Sequence, residues 1–159
     1  MRLFCDEMLG ATARWLRAAG YDATLAESGR PDAEILDQCR AEGRVLITRD
    51  RQLAHAGRPE VQTVLLTGDD PDGHAQALSE ALGVDWALAP FTRCLVDNAP
   101  LEPAAAADLA RIPEQSRVLP GPFRKCPRCG RVYWPGSHVR RMTAQLEQWR
   151  TLAAEPPPR

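Results

Sequence analysis

The sequence predicts an α/β fold with a mainly parallel sheet, followed by a small cysteine-bearing unit and a C-terminal helix. Over the first 90 residues, short β-rich segments alternate with helical patterns, which is typical of βαβ units. Around Pro90 this alternation stops, and a segment rich in proline and alanine, 100–122, separates two cysteine-bearing pieces. We therefore expect two units, residues 1–90 and residues 91–159, and only the first has the length of a full α/β domain.

The first elements follow from hydrophobic periodicity and from a glycine. An apolar strand is predicted at 2–5, and apolar residues then recur on one helical face over 8–19. Gly20 follows at the point where a helix stop is expected. A weaker strand is predicted near 23–26.

Asp32 precedes the next periodic stretch, so we expect it to be the N-cap of a helix that ends near Gly43. The same reasoning gives the rest of the first unit. Its predicted elements are a strand at 44–48, a short helix from Asp50, a strand at 61–67 and a helix at 72–82 that Gly83 closes. These alternating elements complete the βαβ pattern.

A C-terminal helix is predicted from Ser137, which would cap it, to the final prolines. Its apolar residues at the helical repeat are Val139, Met142, Leu146 and Trp149. Packing onto the first unit is the expected role of this face, with a partner or membrane surface as the alternative.

Composition and charge narrow the class of protein. The sequence shows neither the apolar run of a signal peptide nor about 20 apolar residues in a row that could span a bilayer, so we expect a cytoplasmic protein without a membrane partner. The net charge is −1, but acidic residues dominate 69–85 whereas Arg and Lys dominate 117–150. A basic C-terminal third suits a polyanion, with solvated surface arginines as the alternative.

Acidic residues follow three of the predicted strands. Asp6 comes directly after the first strand, Asp50 after the third, and Asp69 and Asp70 after the fourth. Because the carboxyl ends of parallel strands meet at one edge of a sheet, these residues are expected to converge, and Asp32 could reach the same crevice. Clustered carboxylates repel one another unless a cation neutralises them, which favours Mg²⁺ or Mn²⁺ and metal-assisted attack on a phosphodiester.

Two other interpretations of these acids stay open. Asp32 and Asp50 could simply cap helices, while Asp69 and Asp70 could form a turn. A phosphorylated receiver domain would use Asp6, Glu7, Asp50 and Thr67, but the fifth strand of such a domain is absent from the pattern. The receiver interpretation predicts an acyl phosphate at Asp50.

The five cysteines divide into two groups. Cys5 and Cys39 fall in apolar patterns and are expected in the core. The remaining three are expected to bind zinc, because Cys126 and Cys129 form a CxxC knuckle and Cys94 lies upstream of it. The fourth ligand is either Asp97, which has the same interval from Cys94, or His138. Loops held by packing without zinc, and a redox pair, are the alternatives.

The knuckle is surrounded by basic and aromatic residues. The basic ones are Arg124, Lys125, Arg128 and Arg131, and the aromatic ones are Tyr133 and Trp134. Basic groups offer phosphate contacts and aromatic faces can stack unpaired bases, so this composition indicates RNA binding. Packing of both aromatic rings beneath the ribbon is the alternative.

Five sequence blocks occur in order over nearly the whole chain. They are RLFCDEMLGATARWLRAAGYDA, DAEIL, EGRVLITRDRQLA, FTRCLVDN and CPRCGRVYWPGSHVRRM. Together they resemble the Mut-seven carboxy-terminal ribonuclease domain family. The resemblance implies a PIN-like, three-layer α/β nuclease fold with a mainly parallel sheet and a fused zinc-ribbon-like unit.

The resemblance also implies roles for individual residues. The catalytic, metal-binding carboxylates would be Asp6, Asp32 and Asp50, with Asp69 as a fourth candidate; the phosphate contacts would come from Arg14, Arg17, Arg49 and Arg51. One departure from the family pattern is Asp97, which stands where the family has a cysteine.

We therefore expect a metal-dependent ribonuclease with Mg or Mn at the acidic site, zinc at the ribbon and RNA as its partner. A non-catalytic RNA-binding adaptor is the alternative. The sequence leaves open which RNA is cut, whether cutting starts internally or at an end, and whether a homodimer or an inhibitory protein partner exists.

Overall fold

The structure, a computed structural model, describes residues 1–156 and residue 158. Its first unit is built on a parallel four-stranded sheet with the order β2-β1-β3-β4. The strands are β1 (Arg2–Cys5), β2 (Asp22–Leu25), β3 (Arg44–Thr48) and β4 (Thr63–Leu65). Strand β1 pairs with both neighbours, so that Cys5 lies between Leu25 and Ile47 at the carboxyl edge. The predicted α/β class and parallel sheet are confirmed.

Helices cover both faces of this sheet. They are α1 (Gly10–Ala18), α2 (Asp32–Glu42), α3 (Arg51–Gly57) and α4 (Pro71–Leu82). Because side chains alternate along a strand, Leu3 and Cys5 face one apolar cluster whereas Phe4 faces another. The helices α1 and α4 contribute to the first cluster and α2 and α3 to the second, which gives three layers.

Several predicted boundaries shift by one or two residues. Pro31, not Asp32, precedes the first turn of α2, so Asp32 is a helical residue that makes no side-chain cap bond. Asp50 caps α3 as predicted, and Asp70 caps α4 one residue before Pro71. The strand predicted at 61–67 is shorter because β4 is an edge strand whose ladder has only three residue pairs with β3.

A short antiparallel sheet forms the second part of the chain. Its strands are β5 (Glu102–Pro103), β6 (Arg124–Lys125) and β7 (Val132–Tyr133), in that order across the sheet. A short helix, α5 (Ala106–Leu109), lies between β5 and β6. The last element is α6 (Ser137–Ala154), for which Gly136 precedes the first turn and Ser137 is already helical. The predicted cap by Ser137 is therefore wrong by one position.

Helix α6 packs onto the first unit, as the spacing of its apolar residues predicts. Its buried residues are Met142, Leu146 and Trp149. The Trp149 ring makes edge-on contacts with Trp15 and Trp86, with ring centroids 4.8 and 5.0 Å apart, and its Nε1 donates to Asp72 Oδ1 at 2.7 Å. The two sequence units therefore share one apolar cluster, and the division at residue 90 stays a prediction.

Within residues 1–156 and 158, no helix has both the length and the apolar character needed to cross a membrane.

Candidate functional site

The carboxyl edge of the parallel sheet brings Asp6 and Asp50 next to one buried hydroxyl. Thr48, the last residue of β3, is fully buried and its Oγ1 donates to Asp6 Oδ2 at 2.9 Å. The same oxygen accepts the backbone N–H of Asp50 at 3.0 Å. Asp6 follows β1 and Asp50 follows β3, so the two neighbouring strand ends are fixed to each other through Thr48.

Each of these two carboxylates is also held by backbone donors. Asp6 Oδ1 accepts the N–H of Glu7 at 2.8 Å. Asp50 Oδ1 accepts the N–H groups of Gln52 and Leu53 at 2.8 and 3.2 Å, which is the N-cap of α3. These two bonds fix the orientation of the Asp50 carboxylate at the start of α3.

Asp32 lies at the same edge of the sheet, on the connection that follows β2. It is exposed and occupies the first turn of α2. The loop before α2 is fixed by Glu7, whose Oε2 accepts the N–H of Gly29 at 3.1 Å. The acidic edge, which we define as Asp6, Asp32 and Asp50, is therefore built from three successive strand ends. Its carboxylates do not form a compact group of metal ligands among the described residues.

Asp69 lies on the connection between β4 and α4. It is exposed and lines a pocket of about 220 Å³ together with Arg49, Trp15 and His74. Arg49 is half-buried and lies between Thr48 and Asp50 in the chain, whereas Arg51 is exposed at the start of α3. The structure thus places Asp69 with apolar and basic neighbours.

A second site is formed by Cys94, Asp97, Cys126 and Cys129, whose ligand atoms all lie within 4.8 Å of one another. Cys94 Sγ is 3.7 Å from Cys129 Sγ, and Cys126 Sγ is 3.3 Å from Asp97 Oδ2. Sulfurs bound tetrahedrally at about 2.3 Å from zinc lie about 3.8 Å apart, which fits the first distance. This cluster could bind a metal such as zinc.

Two tight turns create the cluster. In the first, the backbone N–H of Cys94 donates to Ala99 O at 2.9 Å, and Ala99 N–H donates to Asp97 Oδ1 at 3.0 Å. In the second, Gly130 N–H donates to Cys126 O at 2.9 Å, and Gly130 has the positive φ of 77° that such a turn needs. Sequence spacing alone predicts both turns.

The structure favours Asp97 over His138 as the fourth ligand. Burial raises the pKa of Asp97, but hydrogen bonds from Ala99 N–H and from the cysteine thiols outweigh it and leave the pKa below its ordinary value. An ionised carboxylate is the form that binds a metal. His138 is outside the cluster, where its Nε2 accepts a 3.0 Å hydrogen bond from Arg14 Nη2.

Tyr133 and Arg128 lie beside this cluster. The Tyr133 hydroxyl is 3.2 Å from Cys94 Sγ and accepts the N–H of Leu95 at 3.0 Å. Its ring packs against the cluster of Cys94, Ala99 and Cys126, as the packing alternative anticipated. Arg128 is exposed, and its Nη1 lies 3.5 Å from the backbone oxygen of Asp97.

A basic cleft of about 770 Å³ lies between α1, the second cysteine turn and the start of α6. Its charged and aromatic lining consists of Arg14, Arg111, Arg131, His138, Tyr133 and Trp134. Among the described residues that line it there is no carboxylate side chain. The cleft therefore offers cationic donors and aromatic faces to an anionic ligand.

Arg17 does not belong to any exposed basic surface. Only 6% of it is exposed, and its guanidinium donates to the backbone oxygens of Ala23, Leu95 and Val96 at 2.8, 3.1 and 3.0 Å. These bonds fix the end of α1 to β2 and to the loop that carries Cys94. We assign Arg17 to the fold and leave it out of the proposed RNA contacts.

The family model described as Mut7-C RNAse domain matches residues 1–146. The chain belongs to the Mut7-C RNAse domain family. Membership confirms the resemblance carried by the five sequence blocks and supports, at the level of the family, a ribonuclease-like enzyme with RNA as its substrate. Searches of curated proteins and of solved structures gave no match.

Sequence reasoning missed two residues of this Mut7-C domain that the structure brings forward. In the sequence, Thr48 is the end of an apolar strand. The only feature that could have indicated its role is a hydroxyl at the strand end, directly before two charged residues. Arg111 lies in the segment rich in proline and alanine that separates the cysteine turns, and nothing in its spacing places it in the basic cleft.

Proposed function

We propose that this chain is a metal-dependent ribonuclease that hydrolyses RNA phosphodiester bonds, with Mg²⁺ or Mn²⁺ bound at the acidic edge by Asp6, Asp32 and Asp50. The observation that carries the proposal is the Thr48 hydroxyl, which holds Asp6 and the backbone of Asp50 together at adjacent strand ends. Metal ligands are usually fixed by such neighbouring hydrogen bonds.

The acidic edge is open and is not a closed cage of protein ligands, and such a site suits a hard divalent cation. Its donors are carboxylate oxygens, the ligands that Mg²⁺ and Mn²⁺ prefer. Magnesium usually keeps several of its waters and is held by one or two carboxylates together with substrate phosphate, so an open site is suitable. Asp69 is left out of this set because it lines a separate pocket with Arg49.

In this proposal, side chains of the protein orient the metal-binding carboxylates and contact the phosphate of the substrate. When bound, the divalent cation supplies an activated water and stabilises negative charge on the departing oxygen. Thr48 orients Asp6, and the N-terminus of α3 orients Asp50. Arg51, exposed beside Asp50, is close enough in the chain to contact the same phosphate or the next one.

We propose that the basic cleft holds the RNA strand beside the acidic edge. Helix α1 starts four residues after Asp6, and its Arg14 lines the cleft, so a short stretch of chain connects the two surfaces. Arg14 and Arg131 would contact phosphates, and Trp134 would stack on an unpaired base. Arg128 extends the basic surface outside the cleft, whereas Tyr133 supports it from below.

We propose zinc at the cysteine and aspartate cluster, with a structural role. Its ligands come from two turns, and Cys94 and Cys126 are 32 residues apart in the chain. A metal that joins the two turns would close the loop between them and so stabilise a small unit with few apolar contacts. We propose a cytoplasmic location, where reducing conditions would keep the three cysteines of this cluster available as metal ligands.

Incubation of the purified protein with single-stranded RNA and Mn²⁺ tests the nuclease proposal. We expect cleavage that a chelator abolishes and that Asp6→Asn and Asp50→Asn each reduce by at least about a hundredfold. Asp37→Asn is the matched control, because Asp37 is exposed on α2 and pairs with Arg40. Equal cleavage by wild type and Asp50→Asn would refute the assignment.

The basic cleft also favours a second candidate, a non-catalytic RNA-binding adaptor, because its lining contains none of the acidic edge. That function predicts RNA binding that weakens with salt and survives Asp50→Asn. Wild-type protein that binds RNA but leaves it intact in Mg²⁺ and in Mn²⁺ would favour the adaptor.

A further inference from the structure

The pocket of about 220 Å³ that contains Asp69 is not used by the proposed chemistry; we name it the Trp15 pocket. Its apolar wall is formed by Met8, Leu9, Trp15, Trp86 and Trp149. Met8 follows Asp6 by two residues and Arg49 directly precedes Asp50, so the pocket lining is linked through the chain to both carboxylates.

The wall of the Trp15 pocket leaves apolar surface uncovered. Met8 is 69% exposed, and Trp15 is only partly buried although its neighbour Trp149 is in the core. Exposed apolar and aromatic surface around a pocket is typical of ligand contacts. A flat aromatic base can stack on such a surface.

Most polar groups of the pocket already have partners within the protein. His74 Nδ1 is 3.2 Å from the Thr12 hydroxyl, and its Nε2 is 3.0 Å from Gly68 O. The two that differ are Arg49 and Asp69, because neither makes a hydrogen bond or an ion pair to another side chain within residues 1–156 and 158. The pocket therefore offers one guanidinium donor and one carboxylate acceptor to a ligand.

This pair of groups complements guanine among the four bases. Guanine has neighbouring N1–H and N2–H donors for a carboxylate, and O6 and N7 acceptors for a guanidinium. The pocket is smaller than the roughly 300 Å³ at which sites for drug-sized ligands begin, which suits a single base. Uracil and cytosine offer a carboxylate fewer adjacent donors, and adenine lacks the O6 acceptor.

We propose that the Trp15 pocket binds an unpaired guanine base of the RNA beside the scissile phosphate, with Asp69 accepting from the base and Arg49 donating to it. This inference rests on the proposed ribonuclease function and adds a base preference to it. It also gives Asp69 a role in specificity in place of a metal-binding one.

Binding can be measured without cleavage by titrating each of the four nucleoside 5′-monophosphates into protein without added Mg²⁺ or Mn²⁺ and following tryptophan fluorescence. We expect guanosine monophosphate to bind at least about fivefold more tightly than the other three, the lower limit for a bidentate base contact. Asp69→Asn should remove this preference. The control Glu80→Gln removes one negative charge from the exposed part of α4 and should keep it. Equal affinities for all four nucleotides would overturn the proposal.

Cleavage mapping separates this proposal from the nuclease proposal. In Mn²⁺, wild type should cut next to guanine in preference to other bases in an unstructured RNA, and Asp69→Asn should bring the ratio of kcat/KM values for the two kinds of site close to one. If Asp69 instead bound the metal, Asp69→Asn would reduce cleavage at all sites by the same factor. Cleavage with no base preference would refute the Trp15 pocket proposal alone, whereas intact RNA would refute the nuclease function and leave the nucleotide titration to decide the pocket.

Discussion

Thr48 Oγ1 donates a 2.9 Å hydrogen bond to Asp6 Oδ2 from a fully buried position at the end of β3. We predict that Thr48→Val weakens Mn²⁺ binding or RNA cleavage by about tenfold to a hundredfold, as the loss of other hydrogen bonds to metal ligands does. Thr48→Ser keeps the hydroxyl and should restore most of the activity. The measurement is cleavage rate against Mn²⁺ concentration. Equal profiles for Val and wild type would show that this bond does not orient Asp6.

The second prediction concerns Asp97, the carboxylate in the cluster of Cys94, Cys126 and Cys129. Asp97→Cys would place a fourth thiol where the carboxylate is and complete a set of four sulfurs, which we expect to bind zinc more tightly by at least about tenfold. Asp97→Ala should lower the affinity. Elemental analysis and competition with a chromogenic chelator measure both.

The control for the zinc experiment is Cys39→Ala, because Cys39 is buried in a different apolar group from Cys94 and Cys126. It should keep one zinc per chain. A zinc content that is zero in the wild type and in Asp97→Cys would contradict a metal role for this cluster.

Trp149 anchors α6, and its removal should destabilise the whole first unit. We expect Trp149→Ala to lower the free energy of unfolding by about 3 to 5 kcal/mol, since it opens a cavity between Trp15 and Trp86 and leaves Asp72 without its indole donor. Leu152→Ala on the exposed side of the same helix is the control, with an expected change within about 0.5 kcal/mol. Urea unfolding followed by circular dichroism measures both. Similar losses for the two variants would mean that α6 is not anchored by Trp149.

The lowered pKa of Asp22 leads us to expect that the protein loses stability in acid. Burial raises its pKa, but hydrogen bonds from Arg44 and Asn98 and the charge of Arg44 outweigh that effect and lower the pKa to about 2. A depressed pKa means that the stabilisation is present above the ordinary pKa of 3.8 and is lost as the pH falls from about 4 to about 2. The difference corresponds to about 2 kcal/mol.

The test of this pH dependence compares Asp22→Asn with wild type by urea unfolding between pH 2 and pH 6. Wild type should lose more stability over this range than the variant does, by about 2 kcal/mol. Asp37→Asn, at an exposed position, should behave like wild type. Parallel curves for wild type and Asp22→Asn would contradict the depressed pKa.

The elements that the sequence predicted most accurately are the central strands. Strands β1 and β3 match their predicted bounds because a strand buried on both faces has an uninterrupted apolar run. The edge strand β4 is shorter than predicted, since its length is set by pairing with β3 and not by its own apolar run. Helix starts were less accurate, because the cap of α2 depends on how the loop before Asp32 is folded.

The sequence by itself determined the order of strands and helices, the acidic residues at the strand ends and the paired cysteine turns, because these depend on local periodicity and short intervals. Only the tertiary structure decided that Thr48 joins Asp6 to Asp50, that Arg17 is buried, and that Asp97 completes the cysteine cluster while His138 contacts Arg14. Each of these contacts joins residues distant in sequence or depends on which way a side chain points, and both are fixed by the packing of the whole chain.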